Sequence, residues 1–125
     1  MTFLKLHVLG SGTPQPNKER WGSGFIVESQ DEFIMFDCGP ASTYKMIQMD
    51  IDPRMVNSLF FTHHHSDHDL DYPTFLMTRW ETSLGGEKEL EIFGPPPTEK
   101  ITEKLIGIDD GAFAHDLIAR TKHPL

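Results

Sequence analysis

The chain has 125 residues, 38% of them hydrophobic and 24% charged, with 19 acidic against 11 basic side chains and a net charge of −8. That length holds one domain at most, with a modest core, and the acidic balance argues against a broad nucleic-acid surface, which needs clustered Lys and Arg. No apolar run is long enough to span a bilayer, Met1–Leu6 runs into strand-like alternation with no signal-peptide pattern, and the single Cys38 permits no internal disulfide, so a cytoplasmic location and no membrane partner are expected.

Strand-like alternation over residues 3–9 leads into a Gly/Pro loop over 10–17. Residues 24–29 and 32–36 read as a hairpin joined at Gln30-Asp31, giving an antiparallel opening to the sheet. Residues 41–49 carry Tyr44, Met46, Ile47 and Met49 without a breaker and predict a helix that ends before Asp52-Pro53. A short buried strand is expected at 58–62, a second helix at 73–81 with Pro73 in its first turn, and a strand at 89–93 after the Gly85-Gly86 turn. Beyond the rigid Gly94–Pro97 loop, Thr98 could cap a helix that Gly107 closes, and residues 112–120 predict a last helix.

Four of the seven histidines fall in the run Thr62-His63-His64-His65-Ser66-Asp67-His68. In an extended or loosely turned backbone, side chains two apart share a side, so His63 and His65 can grip one ion while Asp67 and His68 stand ready for a second. Imidazole with carboxylate suits Zn2+ best, and also Mn2+ or Fe2+; the absence of neighbouring thiols argues against a structural cysteine site. The run is internal and leaves the C-terminal end of an apolar strand, where open α/β folds place their chemistry, which separates it from a tag or a His-rich tract. His64 points away from His63 and His65 and is placed outside the ligand set. His7, His115 and His123 are read as surface or packing residues, and Cys38 as a small buried hydrophobe. Asp37 is a candidate for the outer partner that a ligating histidine needs, or equally a turn carboxylate bonding its own backbone.

The stretch His63–His68 resembles the His-x-His-x-Asp-His signature of the metallo-β-lactamase fold. Leu9–Pro16 resembles the glycine-rich turn of its ribonuclease Z-like branch, and Phe36-Asp37-Cys38-Gly39 resembles that branch's Asp-x-Gly turn. Leu70–Leu76 lies where those relatives carry a Gly-Leu-Pro-Gly-Leu-like stretch. Pro73 and Leu76 fit it, whereas Asp71 and Thr74 replace glycines and point to a neighbouring subgroup. The resemblance covers residues 3 to about 97.

It implies an α/β (α+β) chain: the N-terminal half of a four-layer αββα sandwich, with a mixed sheet, flanking helices and the second half absent, so that residues 1–125 form one incomplete domain. It also implies a centre of two Zn2+ ions, further ligands beyond residue 125, and an Asp67 that is catalytic as well as ligating. The expected activity is hydrolysis of a small phosphodiester. A carboxylic ester, lactone or sulfate ester on the same fold, and a non-catalytic metal-binding or interaction module, remain open. The 125 residues alone are expected to be inactive. Half a sandwich should leave Phe60, Phe61 and Ile92 uncovered and favour a homodimer or aggregation.

Overall fold

The computed structural model describes residues 3–120. A five-stranded mixed sheet is built from β1 (Leu4–Gly10), β2 (Gly24–Ser29), β3 (Glu32–Phe36), β4 (Val56–Phe60) and β5 (Glu91–Phe93), lying side by side in that order. The first three strands pair antiparallel, while β3–β4 and β4–β5 pair parallel. Two-residue alternation sorts the side chains onto two faces. Ile26, Met35 and Leu59 occupy one cross-strand row and are fully buried.

Helices cover that face. The chain carries α1 (Ser42–Gln48), α2 (Ser66–Asp69), α3 (Tyr72–Thr82), α4 (Thr98–Ile106) and α5 (Ala114–Arg120). Met46 of α1 and Tyr72 and Phe75 of α3 join Val56 and the buried strand row in a single core, with Ile101 and Leu105 of α4 packed against it. A short 3-10 turn at Pro53–Met55 feeds β4; the Asp52 carboxylate opens it by accepting from the Arg54 N–H at 2.9 Å.

Several expectations shift. The strand expected at 58–62 spans Val56–Phe60, because the Thr62 amide bonds the Asp37 side chain instead of a neighbouring strand. The last strand is confined to Glu91–Phe93, and α5 begins at Ala114, two residues later than the pattern suggested. Thr98 is the first residue of α4 and makes no side-chain cap; its hydroxyl donates to the Pro95 carbonyl at 2.6 Å. Phe61 is buried against Tyr72, and Ile92 is half-buried on the helical side, so of the three residues expected to be uncovered only Phe60 is exposed. His123 lies outside the described residues.

Candidate metal centre

Parallel pairing of β3 with β4 brings two chain segments side by side where the strands end. Asp37 leaves β3 with φ 61°, in the left-handed region that Asp tolerates better than most residues, and its amide donates to the Phe60 carbonyl at 2.8 Å. Its carboxylate, 3% exposed, faces the histidine segment. One oxygen accepts from the Thr62 amide at 2.8 Å; the other accepts from the Thr62 hydroxyl at 2.8 Å and lies 2.8 Å from His68 Nδ1. That contact fixes the His68 ring and leaves Nε2 for a ligand, the arrangement by which outer carboxylates orient metal-binding histidines.

Beyond Thr62 the chain has no regular secondary structure until His65, whose backbone is extended at φ −70° and ψ 151°, turns into α2. The two-residue alternation therefore stops at His65, and Asp67 and His68 are presented from a single helical turn. The His63 ring lies 4.6 Å from that of His65 and 4.1 Å from that of His68, centroid to centroid. Asp67 Oδ2 is 3.5 Å from His68 Nε2. Asp67 Oδ1 is buried and has no hydrogen-bond partner among the described residues, an isolation that a buried carboxylate oxygen does not sustain without a cost.

Backbone bonds hold this turn in place. The Ser23 amide donates to the Asp67 carbonyl at 2.9 Å and the Cys38 amide to the His68 carbonyl at 2.7 Å. Cys38 itself is fully buried, and that burial, with the carboxylates of Asp71, Asp69 and Asp37 around it, pushes its thiol well above the ordinary value. It is inert as a nucleophile or thiolate ligand.

His64 points away from its neighbours. Its Nδ1 lies 3.1 Å from Asp69 Oδ2 and its Nε2 2.6 Å from Thr98 Oγ1. His7 pairs with Glu28 across β1 and β2 at 2.9 Å, remote from the histidine run, and His115 is exposed on α5.

An ion fits the chemistry of this donor set: the imidazoles of His65 and His68 against that of His63, one of them steered by a carboxylate, and a buried carboxylate oxygen with no partner among the described residues. Among the described residues, however, no three His, Cys, Asp or Glu side chains converge closely enough to hold an ion as they stand. Thr62, which links Asp37 to His63 through a 3.0 Å contact between its hydroxyl and His63 Nδ1, was missed in the sequence reading, as were Asp69 and Thr98. The signal for Thr62 was its place between an apolar strand and the first histidine.

The chain is similar to several known proteins. The profile of a family described as Anti-Pycsar protein Apyc1 matches residues 4–83. Ribonuclease Z of Methanocaldococcus jannaschii is 38% identical over 106 residues, covering 85% of this chain and 33% of that protein. Human tRNase Z, short form, superposes with a TM-score of 0.73 at 26% identity, over 84% of this chain and 40% of its own. The metallo-β-lactamase fold protein YhfI of Bacillus subtilis superposes with a TM-score of 0.70 at 24% identity, over 80% of this chain and 42% of its own, a likeness of fold alone. The chain thus spans about a third of the length of the curated relatives it matches.

Proposed function

The chain belongs to the family described as Anti-Pycsar protein Apyc1 and has the metallo-β-lactamase fold with ribonuclease Z-like relatives, and from that premise we propose that it supplies part of the centre of a zinc-dependent phosphodiester hydrolase. The observation that carries this reading is the gathering of the His63, His65 and His68 rings beside a buried, partnerless oxygen of Asp67. His63, His65, Asp67 and His68 would hold the metal, and Asp37 would orient His68. As they stand no three of the described side chains converge on an ion, so binding would require these four to draw together.

Zinc, when bound, supplies Lewis acidity toward a phosphoryl oxygen and lowers the pKa of water. The chain's own groups do the rest. Asp37 accepts from Thr62 and holds the His68 ring by Nδ1, so the imidazole cannot turn away from the site. By the resemblance, Asp67 would also take a proton from the attacking water or pass one to the leaving oxygen.

Relatives named ribonuclease Z favour a phosphodiester over a carboxylic or sulfate ester. The net charge of −8 favours a small phosphodiester, whereas the relatives named ribonuclease Z and tRNase Z point to a nucleic-acid substrate. The test is hydrolysis of a bis-aryl phosphodiester by the full-length protein, alongside an RNA substrate and a carboxylic ester at the same enzyme concentration. Turnover of the phosphodiester should disappear on chelation, return with zinc, and fall at least about 100-fold in His63→Ala. A chelator-insensitive rate, or a carboxylic ester turned over faster than the phosphodiester, would sink the proposal.

A further inference from the structure

His64 occupies the variable position between the two histidines of the signature, and its surroundings are unusually well furnished. The side chain is only 7% exposed. Its ring lies 4.7 Å from that of Phe61, which meets Tyr72 edge-on at 4.9 Å. The Tyr72 hydroxyl is 2.7 Å from Thr102 Oγ1, the Thr102 hydroxyl donates to the Thr98 carbonyl at 2.8 Å, and Thr98 Oγ1 returns to His64 Nε2 at 2.6 Å. A closed circuit thus runs through β4's exit, α3 and α4, and a second bond from Nδ1 to Asp69 ties it to α2.

In extended backbone, a residue whose side chain is fixed on one side fixes the direction of both neighbours on the other. A turn of the backbone at His64 would swing His63 and His65 together. The ring has two polar anchors on different helices, so it resists rotation about either bond, which a purely apolar residue at this position would not do. Thr98 is itself held, its amide and hydroxyl both donating to the Pro95 carbonyl.

We infer that His64 is a positioning residue: bonded to Thr98 and Asp69, it clamps the histidine segment to α4 and α2 and sets the angle at which His63 and His65 present their imidazoles. This rests on the zinc reading of those two residues. It makes Thr98, 34 positions from His64, part of the machinery that shapes the centre without touching it.

The test titrates zinc alone into metal-free full-length protein, in competition with a chromophoric chelator. His64→Phe keeps the ring against Phe61 and removes both polar bonds; Thr98→Val removes one bond from the α4 side and probes the clamp even where the ring replacement fails to fold. Each should weaken zinc binding by about 10- to 100-fold, the range for outer partners of metal ligands, with the far-ultraviolet circular dichroism of the metal-free protein unchanged. The double variant should bind no more weakly than the worse single one, since both break the same bond. His64→Gln, whose amide can reach toward Thr98, should recover part of the affinity, and with a bis-aryl phosphodiester the loss should fall on kcat and leave KM in place. Affinities of both single variants within about twofold of the parent would overturn the clamp. His63→Ala is the control: if it also binds zinc like the parent, the zinc reading fails; if it alone loses zinc, only the clamp does.

Discussion

Asp71 shows how one side chain can serve an element far from it in sequence. Ala41 sits at the start of α1 with φ 68° and offers no side-chain cap, and the first turn of that helix carries no acid. Asp71 fills the role from 28 positions away: its Oδ2 accepts from the Thr43 amide at 2.7 Å, while its own amide donates to the Cys38 carbonyl at 3.0 Å. Removing the carboxylate in Asp71→Ala leaves a buried N–H unpaired and should cost about 1–3 kcal/mol in urea denaturation. Burial nonetheless pushes the Asp71 carboxyl above its ordinary value, outweighing the hydrogen bonds that pull it down. The folded chain then holds this proton more tightly than the unfolded chain. The group's stabilising contribution is full below the unfolded value, near pH 4, and is lost as pH rises through the raised folded value. Asp71→Asn keeps an acceptor and cannot ionise, so its stability should fall less than the parent's over that rise. Parallel curves for the two proteins would refute the assignment.

At the scale of elements, α2 is a single turn, too short to stand by itself, and it exists because two strand ends hold it. The Ser23 and Cys38 amides grip the carbonyls of Asp67 and His68, which requires the backbone of Gly39 to pass directly beneath Asp67. A β-carbon at Gly39 would run into the Asp67 carbonyl oxygen and the backbone of Gly22 and Ser23. Gly39→Ala should therefore destabilise the protein by about 2 kcal/mol or more and weaken zinc binding with it. Gly86→Ala, where nothing lies within 4 Å, should do neither, and equal effects of the two changes on the thermal midpoint would contradict this account. The same contrast explains what could be read beforehand. The hairpin of β2 and β3, the helices α1, α3 and α4 and the emergence of the histidines at a strand end all follow from local period and turn chemistry. The turn of α2 does not, because its bonds come from residues 23 and 38. The anchoring of His64 was equally hidden: its outward direction follows from alternation, whereas the Thr98 that meets it is delivered only when β5 pairs with β4.

At the scale of the whole molecule, the two faces of the sheet have different fates. The row Ile26, Met35 and Leu59 is sealed by helices. The adjacent row, Val8, Phe25, Phe36, Phe60 and Phe93, crosses all five strands on the opposite face. Its rings stack at 5.5 Å between Phe36 and Phe60 and 4.6 Å between Phe60 and Phe93, yet Phe60 remains 36% and Phe93 43% exposed, and at the other edge of the same face Leu4 and Leu6 of β1 are more exposed still. Covering the exposed remainder of each ring gains roughly 1 kcal/mol, which summed along the row drives association, and half of a four-layer sandwich presents this face where the complete fold has its middle. A polypeptide of residues 1–125 alone should therefore self-associate in sedimentation velocity. Phe60→Lys with Phe93→Lys should shift it toward the monomer with little change in circular dichroism, because neither ring belongs to the core beneath the helices. The parent sedimenting as a stable monomer would show that the face needs no cover. Association that survives both lysines would mean that another surface drives it.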